Sequence, residues 1–173
     1  SNDQEYQSSS LISPAISTDS ALIFTGVWSH SLCAFSAQDG HLTWTQEVKG
    51  IGFNAPVIFK DHVFVSTHDI EAEKEKGLVL CLDGRTGRIE WSANPGDSGM
   101  VGQPIVLHDG RIVVCQGKQH LCGLDGQTGK VLWRVPCPRF AYCACAAKDG
   151  VVYAGSDEGE LLAVNAGDGK VLW

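Results

Sequence analysis

A chain of 173 residues with 43% hydrophobic and 19% charged residues has the composition of a folded globular protein. Its 20 acidic and 13 basic side chains give a net charge of −7, which repels a polyanion, so nucleic acid is not an expected partner. No apolar stretch approaches the ~18 residues of a membrane-spanning helix, and none is expected here.

The first residues, 1–9, form a polar tail. They lack the basic start and the apolar run of a secretory signal. We therefore expect a chain that is either mature or excised from a longer protein.

From residue 10 onward the same cassette occurs four times, and each copy ends on a tryptophan with a glycine four residues before it. The tryptophans lie 47, 42 and 40 residues apart, which suits four short strands with their turns. The predicted repeats span residues 10–48, 49–95, 96–136 and 137–173. Their shared residues are Trp44, Trp91, Trp133 and Trp173, with Gly40, Gly87, Gly129 and Gly169.

Each repeat has the same order of strand signals. A Pro or Ala among apolar residues is followed by a turn, a β-branched run, and an alternating run such as LCLDG at 80–84. Asp83, Asp125 and Asn165 then precede the repeat glycines, a pattern typical of a turn with Asx bonding and a positive φ. The sequence predicts roughly sixteen strands and no helix.

Two of these segments, GSDEGELLAVNAGDGKVLW and QGKQHLCGLDGQTGKVLW, resemble the PQQ-like repeat of quinoprotein-type β-propellers. The resemblance covers residues 10–173 and implies an all-β propeller with four-stranded blades, four of them in this chain. Because members of that family usually have seven or eight blades, the chain is expected to be part of a larger propeller. The alternatives are that its four blades close on themselves or that two copies form an eight-bladed ring. Open terminal blades would otherwise favour self-association.

The repeat tryptophans are interpreted as packing residues between blades, in preference to a stack on a planar cofactor, because they recur at one place in the last strand. Trp28 departs from the pattern, and we treat it as a candidate binding residue in a turn.

The first strands of propeller blades line the central channel, so Asn54, Gln103, Tyr142 and, by the same offset, Ser13 are expected to face it. Arg139 and Phe140 join Tyr142 at one rim, a composition enriched at interface hot spots. The alternative is that these are ordinary exposed turn residues.

The segment 67–77, THDIEAEKEKG, is predicted to be a long charged loop between the second and third strands of blade two. A solvated loop tip is the simpler interpretation. His68 and Asp69 are the residues in it that we select as candidates for binding.

Catalytic chemistry is not indicated. In the resembling dehydrogenases the quinone commonly lies against adjacent cysteines, whereas here Cys143 and Cys145 alternate along a strand. The six histidines are scattered without a helical pair, so no metal is predicted. No cofactor is expected either, PQQ with calcium being the alternative. The seven cysteines, without a CxxC pair, are expected to be mostly free and buried.

The sequence therefore favours a non-catalytic propeller segment that presents blade edges and loops to a protein or peptide partner. The resemblance implies an extracytoplasmic bacterial location, and the assembly-factor lipoprotein of the outer membrane is the functional relative that it suggests. The alternative is the propeller part of a larger enzyme, either a quinoprotein dehydrogenase or an accessory domain of a metallophosphoesterase. A cytosolic location stays open because free thiols are unusual in an oxidising compartment.

Overall fold

The structure is a computed structural model that describes residues 13–27, 31–48, 54–69, 76–96, 102–107, 110–115, 120–137, 145–156 and 159–173. Within these ranges the chain forms fifteen strands in four antiparallel sheets, and each sheet follows the order of the chain. The sheets are blades one to four.

The strand bounds are as follows. Blade one contains β1 Ala15–Ile16, β2 Leu22–Val27, β3 Ser31–Ser36 and β4 Leu42–Glu47. Blade two contains β5 Val57–Phe59, β6 His62–Asp69, β7 Lys76–Asp83 and β8 Ile89–Ala93. Blade three contains β9 Ile105–Val106, β10 Arg111–Cys115, β11 His120–Asp125 and β12 Val131–Pro136. Blade four contains β13 Ala146–Lys148, β14 Val151–Gly155 and β15 Leu161–Asn165.

The predicted last strand of blade four is present only as a bridge. Val171 pairs with Val164, and Leu172 N–H donates to the Ala163 carbonyl while Ala163 N–H donates to Trp173. The backbone thus follows the path of a fourth strand without enough pairing to form one.

The turn before each last strand follows from its sequence. Asp83 Oδ1 accepts hydrogen bonds from the backbone N–H groups of Arg85 and Thr86 and from the Thr86 hydroxyl, and Asp125 does the same for Gln127 and Thr128. Gly87 lies at φ +74°, where a side chain is disfavoured. These bonds confirm the predicted Asx turns at both positions.

A β-bulge follows this turn in blades one to three. The register shifts so that one residue before each repeat tryptophan lacks a partner on the third strand; in blade two this residue is Glu90, between Ile89 and Trp91. A bulge redirects a side chain and increases local twist, so it is the feature that positions Glu90.

The hydrophobic core is divided among the interfaces between successive blades. Phe24 and Leu32 pack with Val63 and Leu82 between blades one and two. Similar clusters lie between blades two and three and between blades three and four. The inner strands also lie in sequence, β1 against β5 and β5 against β9. This radial arrangement of sheets is a β-propeller, as predicted.

One loop prediction was wrong in its extent. The segment 67–77 was expected to be irregular, but β6 continues through Asp69 and β7 begins at Lys76, with Thr67 opposite Leu78 and His68 opposite Gly77. Thr67 is buried, and its hydroxyl accepts a hydrogen bond from the Leu78 N–H. Satisfied backbone groups and a buried side chain therefore extend the hairpin beyond the point that the charged sequence indicated.

Four cysteines in the described part of the chain are free and buried, as expected for thiols in apolar strands: Cys33, Cys81, Cys122 and Cys137. Cys145 is buried as well.

Candidate functional site

The repeat tryptophans of blades one to three pack against the following blade. Trp44 Nε1–H donates to the Gly84 carbonyl at 3.0 Å, Trp91 Nε1–H to Gly126 at 3.1 Å, and Trp133 Nε1–H to Ala166 at 2.8 Å. The rings cover Gly87, Gly129 and Gly169, where a Cβ atom would come within 2.5–2.9 Å of a ring carbon. The tryptophans and glycines therefore hold successive blades together, and the space between two blades is fixed by this contact.

A cleft of about 600 Å³ lies beside one of these contacts, between blades two and three. Blade two contributes Lys60, His62 and Glu90 to its lining, and blade three contributes Arg111 and Asp125. The lining carries both signs of charge, so the cleft is suited to a polar ligand more than to an apolar one.

Three side chains with metal-binding atoms meet at this cleft, and we call them the His62 cluster: His62, Cys81 and Glu90. His62 Nε2 lies 3.0 Å from Glu90 Oε2, and the Cys81 thiol donates to the same oxygen at 3.9 Å. All three potential ligand atoms lie within 4.8 Å of one another. They come from three different strands, β6, β7 and β8.

The members of the His62 cluster differ in their access to solvent. The His62 side chain is 40% exposed and that of Glu90 is 27% exposed, whereas Cys81 is completely buried. Burial, followed by the negative charge of Glu90, raises the pKa of the Cys81 thiol to about 12. Arg88 lies 3.7 Å from the other Glu90 oxygen. The cluster is thus open on the imidazole and carboxylate side and closed on the thiol side.

The residues proposed from the sequence as binding residues do not form one described site. Asn54 is half-buried, and its amide donates to the Ser66 hydroxyl at 2.8 Å. Gln103 is half-buried ahead of β9, and Ser13 is exposed ahead of β1. For His68 and Asp69 only the backbone pairing in β6 is described. Trp28, Arg139, Phe140 and Tyr142 lie outside the described residues.

The His62 cluster was missed by reasoning from sequence. His62 was considered only as one of several scattered histidines, because a spacing rule detects ligands on one helix or one turn. The repeat itself is the signal that could have found the cluster. When the four repeats are aligned on their shared glycines, the positions at which blade two has different residue types from the other blades become visible.

A family comparison covers nearly the whole sequence. The family model described as outer membrane protein assembly factor BamB matches residues 8–100 and again residues 75–173. The chain belongs to this family. The predicted PQQ-like repeat is thereby confirmed.

Two curated relatives carry the same description. The outer membrane protein assembly factor BamB of Bordetella pertussis is 31% identical over 102 residues, which is 56% of this chain and 26% of the relative. That of Yersinia pestis is 22% identical over 182 residues, 95% of this chain and 44% of the relative. The chain therefore spans less than half the length of these relatives.

Solved structures agree on the fold. BamB from Moraxella catarrhalis has a TM-score of 0.52 at 18% identity, covering 94% of this chain and 63% of that one. The computationally designed Ika4 protein has a TM-score of 0.74 at 14% identity, covering 95% of both chains. A quinohemoprotein alcohol dehydrogenase from Comamonas testosteroni has a TM-score of 0.68 at 17% identity, covering 88% of this chain and 33% of that one. At these identities the likeness establishes the propeller fold alone.

Within the described ranges, no helix has the length and apolar character needed to cross a membrane.

Proposed function

We propose that this chain is a non-catalytic propeller segment that binds a protein partner during the assembly of outer membrane proteins. The observation that carries the proposal is the family match over residues 8–173, together with curated relatives that are named as assembly factors. An extracytoplasmic location follows from the same proposal, since outer membrane proteins are assembled outside the cytoplasm.

The last strands offer a structural means of binding. Each lies at the edge of its sheet, so one row of its backbone groups is not paired within that sheet. They also carry exposed apolar side chains, among them Leu42 on β4, Ile89 on β8 and Leu132 on β12. An extended segment of a partner can add to such an edge through main-chain hydrogen bonds, with apolar side chains selecting the segment.

Photocrosslinking tests this proposal in the protein as it exists in its native cell envelope. A photoreactive amino acid at position 42, 89 or 132 is expected to give discrete adducts with an envelope protein. Position 148 provides a control, because Lys148 is exposed on β13, the first strand of blade four, away from the last strands. Adducts that are equally abundant from position 148, or absent from all edge positions, would contradict the proposal.

The enzyme alternative makes a different prediction. A quinoprotein dehydrogenase segment should bind PQQ with calcium saturably in calorimetry, whereas the proposed scaffold should give no heat of binding. Saturable binding would replace the scaffold proposal with the catalytic one.

A further inference from the structure

Blade two differs from the other blades at three positions that meet in space. Aligned by strand register, the His62 position is filled by Leu22, Arg111 and Val151 in the other blades, because each of these residues pairs with the last residue of its third strand. None of these three side chains is a metal ligand of the imidazole type.

The other two positions change in the same blade. The position equivalent to Cys81, which lies opposite or beside the repeat tryptophan, is occupied in the other three blades by Ala34, Gly123 and Ala163. The position equivalent to Glu90, immediately before the repeat tryptophan, is occupied in the other three blades by Thr43, Leu132 and Leu172. Propeller packing therefore does not require imidazole, thiol or carboxylate at these places, since three neighbouring blades are built without them.

We propose that His62, Cys81 and Glu90 form a binding site for a divalent metal ion of the zinc type. One nitrogen, one sulfur and one carboxylate oxygen are the ligands that Zn²⁺ uses, and three protein ligands leave a fourth position open. That position would face the cleft between blades two and three, which His62 and Glu90 line, whereas Cys81 is buried.

The distances suit this assignment. In a tetrahedral site with Zn–N and Zn–O bonds of about 2.0 Å and Zn–S bonds of about 2.3 Å, neighbouring ligand atoms lie about 3.3–3.7 Å apart. Here the imidazole and carboxylate atoms are 3.0 Å apart, the thiol and carboxylate atoms 3.9 Å, and no pair exceeds 4.8 Å. The largest of these separations exceeds the tetrahedral value by no more than about 1.5 Å. The metal would replace the thiol proton, which leaves to solvent.

The site departs from the expectation of no metal that the scattered histidines gave. That expectation considered spacing along the chain, whereas these ligands come from three strands that only the sheet brings side by side.

The proposal is tested by calorimetry with Zn²⁺ on the full chain, carrying no polyhistidine tag. One ion per chain is expected. Replacement of each ligand by a residue from an equivalent position in another blade, Cys81→Ala, His62→Leu and Glu90→Thr, should weaken binding by about tenfold to a hundredfold or more. Because other blades accommodate these residues, the variants are expected to fold, and circular dichroism melting checks this.

Matched controls come from residues of similar burial outside the cluster: Cys33→Ala, His120→Leu and Glu47→Thr. These should leave the affinity within about twofold of the unsubstituted chain. Cobalt provides a second readout, since Co²⁺ bound to Cys81 should show a near-ultraviolet thiolate charge-transfer band that Cys81→Ala abolishes and Cys33→Ala retains. The absence of stoichiometric zinc binding would overturn the proposal. So would binding that the three cluster variants do not weaken more than the controls, because the ion would then be held elsewhere.

Discussion

Trp133 and Trp173 occupy the same position in successive repeats but have different surroundings. Trp133 is 8% exposed, covers Gly169 and donates to the Ala166 carbonyl, both in blade four. Trp173 is 62% exposed. Trp133 lies over Gly123 of its own blade, and the following blade covers the ring further through the Gly169 turn.

Replacing each of these two tryptophans by alanine should give the largest difference in the free energy of unfolding. Trp133→Ala is expected to lower the free energy of unfolding by about 3–5 kcal/mol, because it leaves a cavity in the core between blades three and four. Trp173→Ala should cost less than about 1 kcal/mol, as for other surface substitutions. Urea denaturation followed by circular dichroism measures both. Equal losses would contradict the idea that the next blade buries the ring.

The receiving glycines provide the complementary test. Gly129 and Gly40 have nearly the same backbone, φ +71° and +74°, but a Cβ on Gly129 would lie 2.5 Å from Trp91 Cε3, whereas nothing lies within 4 Å at Gly40. Gly40→Ala should therefore cost only the left-handed conformation, about 1–2 kcal/mol. Gly129→Ala should cost roughly 1–3 kcal/mol more, because the ring must move.

Thermal melts of the two glycine variants side by side measure this difference. If both variants lose the same stability, the positive φ alone would account for the cost of replacing either glycine. The contact with Trp91 would then contribute nothing to it.

Self-association would sharpen the comparison further. Trp173 is an exposed ring and the Gly40 turn is an open receiving surface, so the isolated chain is expected to associate between copies. Light scattering over a concentration series should show a mass that rises with concentration, and Trp173→Ala should shift the rise to at least about tenfold higher concentration. A monomer at all concentrations, or a variant that associates equally well, would contradict this prediction.

The smallest expected effect concerns the turn that receives Trp91. The hydrogen bond from the Thr128 hydroxyl, and to a smaller extent those from the backbone N–H groups of Thr128 and Gln127, lower the pKa of Asp125 below its ordinary value of 3.8. A carboxyl group whose pKa is lower in the folded than in the unfolded chain stabilises the fold at pH values above the unfolded pKa. This contribution is lost as the pH falls below about 4 and through the folded pKa.

Asp125→Asn should keep the turn, because Asn165 accepts the equivalent backbone bonds in blade four. The variant is expected to lose less stability than the unsubstituted chain as the pH falls below about 4. At neutral pH it should cost less than about 1 kcal/mol, since the side chain is exposed. Melting temperatures at each pH measure this. An unchanged pH dependence would show that the Asp125 charge does not contribute.

Much of this fold could be predicted because strand and turn residues recur at fixed positions in each repeat. The alternation of LCLDG predicts the third strand of blade two, and Asp83 with Gly87 predicts the turn after it, since both depend on residues close in sequence. The extension of β6 through Asp69 was not predictable in this way, because charged residues leave the pairing partner undetermined. The binding residues proposed at Arg139, Phe140 and Tyr142 stay a prediction.

The sequence by itself determined the number of repeats, the class of fold and the place of the tryptophans, because these follow from periodicity and turn chemistry. Only the tertiary structure decided which tryptophans are buried and which ligand atoms meet. Burial of a ring depends on the blade beyond it, and the His62 cluster joins β6, β7 and β8 through strand register and a bulge. Those relations are set by pairing between segments, and no single segment contains them.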